Sequence, residues 1–188
     1  DENRLALLCR CYPGVTGRLL DIRDTDAVIS TIEKFGGWAV ANCAARKHVM
    51  WCEQNISESV DINATASINL VQRLDVPYLY VGTDKSVNPI CAYALTKLLG
   101  ERNALDNGHF VVRGVNFMFS GGSVLDIWLA QKEAGRPFTV VDGDCTRYFN
   151  RLDEMADLVW DVLREGRPGI HYPNHVYLIG MRTLFEGF

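Results

Sequence analysis

Tyr93 and Lys97 stand four residues apart in an apolar segment whose spacing predicts a helix over 92–105. Residues i and i+4 share a helix face one turn apart. An ammonium beside a phenol favours the phenolate, against an ordinary phenol pKa of ~10. Such a tyrosine can take a proton from a sugar hydroxyl while hydride leaves the same carbon for a nicotinamide, and the lysine can hold the cofactor ribose. The same pair also occurs on many helices as a plain surface contact. Upstream, Thr83, Asp84 and Lys85 come directly off the apolar run 78–81. An adjacent acid and base there could act on neighbouring carbons of one substrate. A solvated turn has the same composition. Pro89 holds Asn88 extended, which keeps the turn and the helix separate units.

These groups need a frame. Apolar periodicity predicts helices over 3–10, 25–35, 57–74, 92–105, 124–133 and 152–163, and strands over 15–20, 38–43, 78–81, 110–115 and 138–141. Asp24 or Thr25 caps the second helix and Gly36-Gly37 ends it. Strands alternating with helices imply right-handed βαβ units, hence an α/β fold with a doubly wound parallel sheet of the Rossmann type. Ligands of such sheets lie at the carboxyl ends of the strands. The residues of interest should therefore follow Leu20, the run 39–43, Val81 and Val115. A dinucleotide fold opens with a strand and a glycine-rich turn, and the sequence has no match for that part. Gly14-Val-Thr-Gly17 lacks a third glycine and precedes a strand, so it reads as a turn into that strand.

The chain has 188 residues, 48% hydrophobic and 22% charged, with a formal net charge of −4. That suits one globular domain with at most an added lobe. The acidic balance, with no basic run longer than two residues, argues against nucleic acid. No apolar run reaches the length of a membrane span. Six cysteines without a Cys-x-x-Cys pair, and four scattered histidines, do not give metal spacing. Buried free thiols in a reducing cytoplasm are expected.

The segment running from Tyr80 through Thr83-Asp84-Lys85-Ser86-Val-Asn88-Pro89 to Tyr93-Ala-Leu-Thr96-Lys97 resembles the extended short-chain dehydrogenase/reductase family. Within it, the segment is similar to the soluble inverting UDP-N-acetylglucosamine 4,6-dehydratases of the pseudaminic-acid pathway. Those enzymes carry Ser/Gly-Thr-Asp-Lys-(Ala/Ser)-x-Asn-Pro and then Tyr-x-x-Thr-Lys. Leu20-Asp21-Ile22-Arg23-Asp24 resembles the family's Gly-Asp-Val-Arg-Asp, and Asn42-Cys43-Ala44-Ala45-Arg46-Lys47-His48 its His-Ala-Ala-Ala-Leu-Lys-His. Asn63-Ala-Thr-Ala resembles Asn-x-x-Gly. The stretch from Val112 to Val124 resembles Val-Arg-Tyr-Gly-Asn-Val-x-Gly-Ser-Arg-Gly-Ser-Val, and Thr146-Arg147-Tyr148-Phe149 resembles Met-Thr-Arg-Phe.

The resemblance implies a cytoplasmic enzyme that converts a UDP-N-acetylhexosamine to its 4-keto-6-deoxy form with NADP, or NAD, as hydride carrier. It implies that Thr83, Asp84, Lys85, Tyr93 and Lys97 are catalytic. It places Asp21 and Ile22 beside the adenine. Ala44, Ala45 and Lys47 then line the cofactor, together with Tyr93 and Lys97. Lys47, His48, Asn116, Gly122 and Ser123 meet the nucleotide sugar, and Arg147 its diphosphate. It further implies a homo-oligomer at full length, no metal and no membrane contact. Residues 1–120 would form a dinucleotide-binding core lacking its first strand and glycine loop, and 121–188 part of a sugar-binding lobe interleaved with it. Plainer readings remain for single residues: Asp21 as a helix cap, Lys47 and His48 in a solvated loop, Arg147 paired with Asp142 or Asp144. Rival functions are an epimerase or reductase of the same fold, or a non-catalytic fragment. Phe119 stands where the family pattern has Gly, Gly121 where it has Arg, and Gly114-Val115 where it has Tyr-Gly.

Overall fold

A computed structural model describes residues 2–140 and 142–187. The elements in chain order are α1 (Glu2–Cys11), α2 (Thr25–Phe35), β1 (Val40–Asn42), α3 (Val49–Gln54), α4 (Ile56–Val60), a π turn (Asp61–Thr65), α5 (Ala66–Val71), β2 (Tyr78–Thr83), a 3₁₀ turn (Asp84–Ser86) and α6 (Ala92–Asp106). They continue with β3 (Phe110–Gly114), β4 (Asn116–Phe117), α7 (Val124–Glu133), β5 (Thr146–Asn150), α8 (Leu152–Glu165), β6 (Gly169–His171), β7 (Tyr177–Gly180) and α9 (Met181–Glu186).

Four strands form a parallel sheet in the order β1-β2-β3-β6. Alternation along β2 and β3 divides the core between its faces. Tyr78, Tyr80 and Val111 face one way and pack with Ile29 of α2, Leu70 and Val71 of α5 and Ala104 of α6. Leu79, Phe110 and Val112 face the other way, onto Met155 and Val162 of α8. Helices thus cover both faces, and the doubly wound α/β arrangement is present. A second sheet, β4-β5-β7, pairs β4 with β5 in parallel and β5 with β7 antiparallel. Its core is Phe149 against Leu125 and Trp128 of α7 and Met181 of α9.

Local chemistry explains the helix ends. Asp24 caps α2 by accepting from the Ala27 amide at 3.1 Å, and Gly36 closes it at φ 62°. The helix expected over 57–74 is present over 56–71, as α4 and α5 running continuously through the π turn, and ends three residues early.

Three strand expectations need correction. Residues 15–20 are irregular, with Val15, Leu19 and Leu20 exposed, because among the described residues no strand lies beside them to complete a ladder. The strand over 38–43 shrinks to β1, the only part with a partner, on β2. Residues 138–140 are irregular, and Val141 lies outside the described residues. Phe138 packs its ring on Trp128 rather than joining a sheet. The thiol expectation also changes. All six cysteines are free, but only Cys52 is buried, while Cys11 ends the exposed helix α1 and Cys43 is exposed at a cavity. Among the described residues no helix is long and apolar enough to cross a membrane.

Candidate active site

The carboxyl ends of β1, β2 and β3 open onto a cavity of about 590 Å³, closed on its far side by the 120–123 loop and β5. Thr83 ends β2 and is buried at the cavity wall. Its hydroxyl donates to Asp84 Oδ1 at 3.1 Å, and Lys85 Nζ donates to the same oxygen at 3.1 Å. Lys85 lines the cavity, whereas Asp84 stands behind Thr83 and Lys85, half-exposed. A proton moved across the Asp84–Lys85 bridge would leave a carboxylic acid and a free amine side by side.

Tyr93 and Lys97 reach the cavity from α6. The helix start is pinned by Glu53 of α3, which accepts from the Ala92 amide at 2.6 Å. Lys97 is only 4% exposed. Its ammonium lies 4.0 Å from the centroid of the Tyr80 ring, and among the described residues it makes no hydrogen bond or ion pair. Burial pulls its pKa down to about 8, opposed by Cys43 and Glu101. Burial also pushes the Tyr93 phenol above its ordinary range. A hydrogen bond with the Thr83 hydroxyl lowers it, and the Asp84 charge raises it further. The expected Lys97-driven lowering of Tyr93 is therefore corrected: desolvation dominates, and the ammonium sits over Tyr80.

The loop after β1 supplies Ala45, Lys47 and His48 to the cavity. Asn63, fully buried in the π turn, holds this loop by accepting from the Arg46 amide at 2.7 Å and donating to its carbonyl at 3.0 Å. Lys47 Nζ donates to the Gly121 carbonyl. The His48 ring lies against Gly122, where a Cβ would fall 2.8 Å from His48 Cε1. Gly122 has φ 75°, so glycine is required there for conformation as well as space. Ser123 caps α7 through the Asp126 amide at 3.3 Å. Asn116 donates to the Tyr148 carbonyl at 2.7 Å, and Arg147 of β5 lines the cavity with Nη1 on the Thr146 carbonyl at 2.8 Å. Neither Asp142 nor Asp144 pairs with Arg147; Asp144 accepts from Arg182 instead.

Thr83, Lys85, Tyr93, Lys97, Ala45, Lys47, His48, Asn116, Gly122, Ser123 and Arg147 are thus gathered at one cavity. Four expected positions are not on its wall, Asp84 among them. Asp21 forms a fork with Arg23 that holds its carboxyl down to about 2. Ile22 packs on the α2 side of the main core, and the Ala44 amide donates to Asn42 at 3.0 Å. Sequence reasoning missed Glu53, whose contact spans 39 residues, and Asn150, which is fully buried and accepts from the Val115 amide at 2.9 Å. It also missed Cys43 as part of the cavity wall, though its place at the end of β1 could have signalled it. The nearly buried, hydrogen-bond-free ammonium of Lys97 at the cavity wall fits a hydroxyl-bearing group such as a nicotinamide ribose.

A family model described as polysaccharide biosynthesis protein matches residues 11–176. An uncharacterized membrane protein of Methanocaldococcus jannaschii, MJ1061, is 33% identical over 163 residues, which is 80% of this chain and 46% of that protein. The UDP-glucose 4-epimerase of Rickettsia typhi is 29% identical over 143 residues, 69% of this chain and 42% of the epimerase. The chain spans less than half the length of these curated relatives. Among solved structures, DesIV from Streptomyces venezuelae, a dTDP-glucose 4,6-dehydratase with NAD and TYD bound, superimposes with a TM-score of 0.87 at 19% identity, covering 99% of this chain and 66% of that one. That likeness shows the fold.

Proposed function

The chain belongs to the polysaccharide biosynthesis protein family, within the extended short-chain dehydrogenase/reductases related to sugar dehydratases, and from that premise we propose that it acts as a nucleotide-sugar 4,6-dehydratase on a UDP-N-acetylhexosamine. The observation that carries this reading is the acid–base pair at the end of β2, with Asp84 Oδ1 shared between Thr83 and Lys85 beside Tyr93. Epimerisation or reduction calls for the tyrosine and lysine, whereas removal of water calls for an acid and a base on neighbouring carbons as well.

Bound NADP, or NAD, would supply a hydride acceptor for C4 and return that hydride to C6. Tyr93 takes the proton of the sugar 4-hydroxyl, and Thr83 hydrogen-bonds the same oxygen. The 4-ketone acidifies C5–H, which Lys85 removes as the free amine. Asp84 gives its proton to the departing 6-hydroxyl, so water leaves, and C5 takes up a proton again once hydride has returned to C6, which completes the 4-keto-6-deoxy sugar. Lys97 holds the ribose, while Ala45, Lys47 and His48 form the wall that cofactor and sugar share. Asn116 of the core, with Gly122, Ser123 and Arg147 of a lobe over 121–188 that interleaves with it, holds the nucleotide sugar. In this reading the enzyme works in the cytoplasm as a homo-oligomer.

The test is a single turnover by Asp84→Asn and Lys85→Ala in a full-length protein carrying this segment. Near-ultraviolet absorbance of reduced nicotinamide should appear, with little 4-keto-6-deoxy product. Parental yields of the deoxy sugar from both variants would remove the dehydratase assignment in favour of epimerisation or reduction.

A further inference from the structure

Tyr80 lies in the middle of β2, with its side chain on the face of the sheet that packs against α5 and α6. It is fully buried. Its hydroxyl donates to the Asn63 carbonyl at 2.6 Å, inside the π turn. Such turns displace backbone groups from the regular helical ladder. Here the carbonyl is turned to a side chain on a strand. Asn63's own amide group is engaged with both backbone groups of Arg46 and with the Thr96 hydroxyl at 3.0 Å. The π turn is therefore tied to the loop after β1, to β2 and to α6 together.

Gly100 makes room for this junction. A Cβ there would lie 2.5 Å from the Asn63 carbonyl oxygen and 2.7 Å from Tyr80 Cζ and Oη. Mid-helix glycine is disfavoured relative to alanine, and at this position it lets α6 close down on the Tyr80 ring. The Lys97 side chain, one turn away on the same helix, then lies over the ring's face at 4.0 Å.

We propose that Tyr80 is a positioning residue for Lys97: its ring, locked from behind by the Asn63 carbonyl, is the platform that keeps the lysine ammonium at the cavity wall. The negative face of an aromatic ring attracts a cation, and most strongly where water is excluded. Among the described residues no carboxylate pairs with the ammonium. Glu101, one turn further along α6, is bound by Arg113 of β3. Cys43 after β1 acts on the ammonium with Glu101, and Tyr93, Lys85, Lys47 and His48 share the cavity that it faces. An ammonium resting on a ring turns part of its N–H donors to the ring face and keeps the rest for a ligand, with no carboxylate to neutralise its charge. The role matters for catalysis only if Lys97 faces the cofactor as read above, but the platform itself is testable without turnover.

The test is the titration of the Lys97 ε-amine, followed by NMR on lysine-labelled chain and assigned with Lys97→Met. Tyr80→Leu should lower its midpoint by about 0.5–1.5 pH units, the equivalent of a lost cation–π contact. Should Tyr80→Leu fail to fold, Tyr80→Phe and a series of mono-, di- and trifluorinated phenylalanines at position 80 keep the shape and drain the ring face of charge. The midpoint should then fall stepwise with fluorination. A midpoint that stays fixed along the fluorinated series overturns the platform. That result would leave the dehydratase reading untouched, since no substrate or cofactor is present. A stepwise fall in a protein that lacks dehydratase activity would support the platform and count only against the function.

Discussion

Arg113 holds both carboxylate oxygens of Glu101, with Nε 3.0 Å from Oε2 and Nη2 on Oε1. Glu101 is fully buried, and Tyr172 completes the arrangement by accepting from Arg113 Nη1 at 3.1 Å. Tyr93, Lys97 and Glu101 recur at four-residue spacing, so one face of α6 carries all three. The pair anchors that face to β3. It also requires Gly82, Arg113's partner in register on β2, because a Cβ there would lie 2.9 Å from Glu101 Oε2.

Breaking a buried pair leaves one charge without compensation, at a cost of about 3–5 kcal/mol. Glu101→Gln keeps the shape and removes the charge. It should lower unfolding stability by about that amount in urea titration, as should Arg113→Ala. A loss under ~1 kcal/mol would mean that the pair behaves like a surface contact.

Lys97 makes stability depend on pH. Its pKa falls from 10.5 to about 8 on folding. Between those values the unfolded chain binds a proton that the folded chain has released, so stability rises as pH rises through the window. The slope is at most ~1.4 kcal/mol per pH unit. Cys43, Tyr78 and Tyr80 shift upward and work in the opposite sense, the thiol above pH 9 and the phenols above pH 10. Between pH 8 and 9 the urea midpoint should therefore increase, by about 1 kcal/mol in stability. Lys97→Met should flatten that rise. A parent chain with no slope in this interval would place the amine in a wetter site.

Much of this was legible in the sequence, for a physical reason. The strand expected over 78–81 and the helix expected over 92–105 are both present, β2 running two residues further to Thr83, because a short apolar run and a stretch without helix breakers are local features of the chain. The failures are long-range. Residues 15–20 have strand composition but, among the described residues, no neighbouring strand to bond with. Residues 146–150 lack an apolar run yet form β5, because β4 and β7 offer edges on either side. Phe119 sits at φ 54°, in the region that favours glycine, and only the resemblance to a glycine-bearing pattern marked the position. The Tyr93 pKa was misjudged because sequence spacing shows the ammonium nearby and cannot show how much water the fold removes.

Tyr93→Phe tests the general base. Burial and Asp84 hold the phenol protonated near neutral pH, so the parent rate should climb with pH as the phenolate population grows. Removing the hydroxyl should cost roughly 10²–10⁴ in turnover and leave nucleotide-sugar affinity within a few-fold. The comparison is a steady-state assay of a full-length protein carrying this segment, across pH 6–9, with substrate affinity measured separately by calorimetry. Turnover equal to the parent's would transfer the base to another residue.

Arg147 tests the diphosphate contact. It projects from β5 to the cavity, and its side chain is bonded only to the Thr146 carbonyl among the described residues. The rest of the guanidinium fork is therefore available. A planar fork matches two phosphate oxygens at once, whereas an ammonium meets them as a point charge. Arg147→Lys keeps the charge and loses the geometry, so UDP-sugar affinity should weaken about tenfold or more, in line with one charge-assisted hydrogen bond. Its salt dependence should stay near the parent's. Arg147→Ala should weaken affinity further and flatten the salt dependence, since the charge itself is gone. NADP affinity should change little in either variant, because Lys97 and Tyr93 lie across the cavity on α6. Calorimetric titration with each ligand separates the outcomes: equal losses for UDP-sugar and NADP would mean that β5 is disturbed as a strand, and no loss for UDP-sugar would remove Arg147 from the diphosphate.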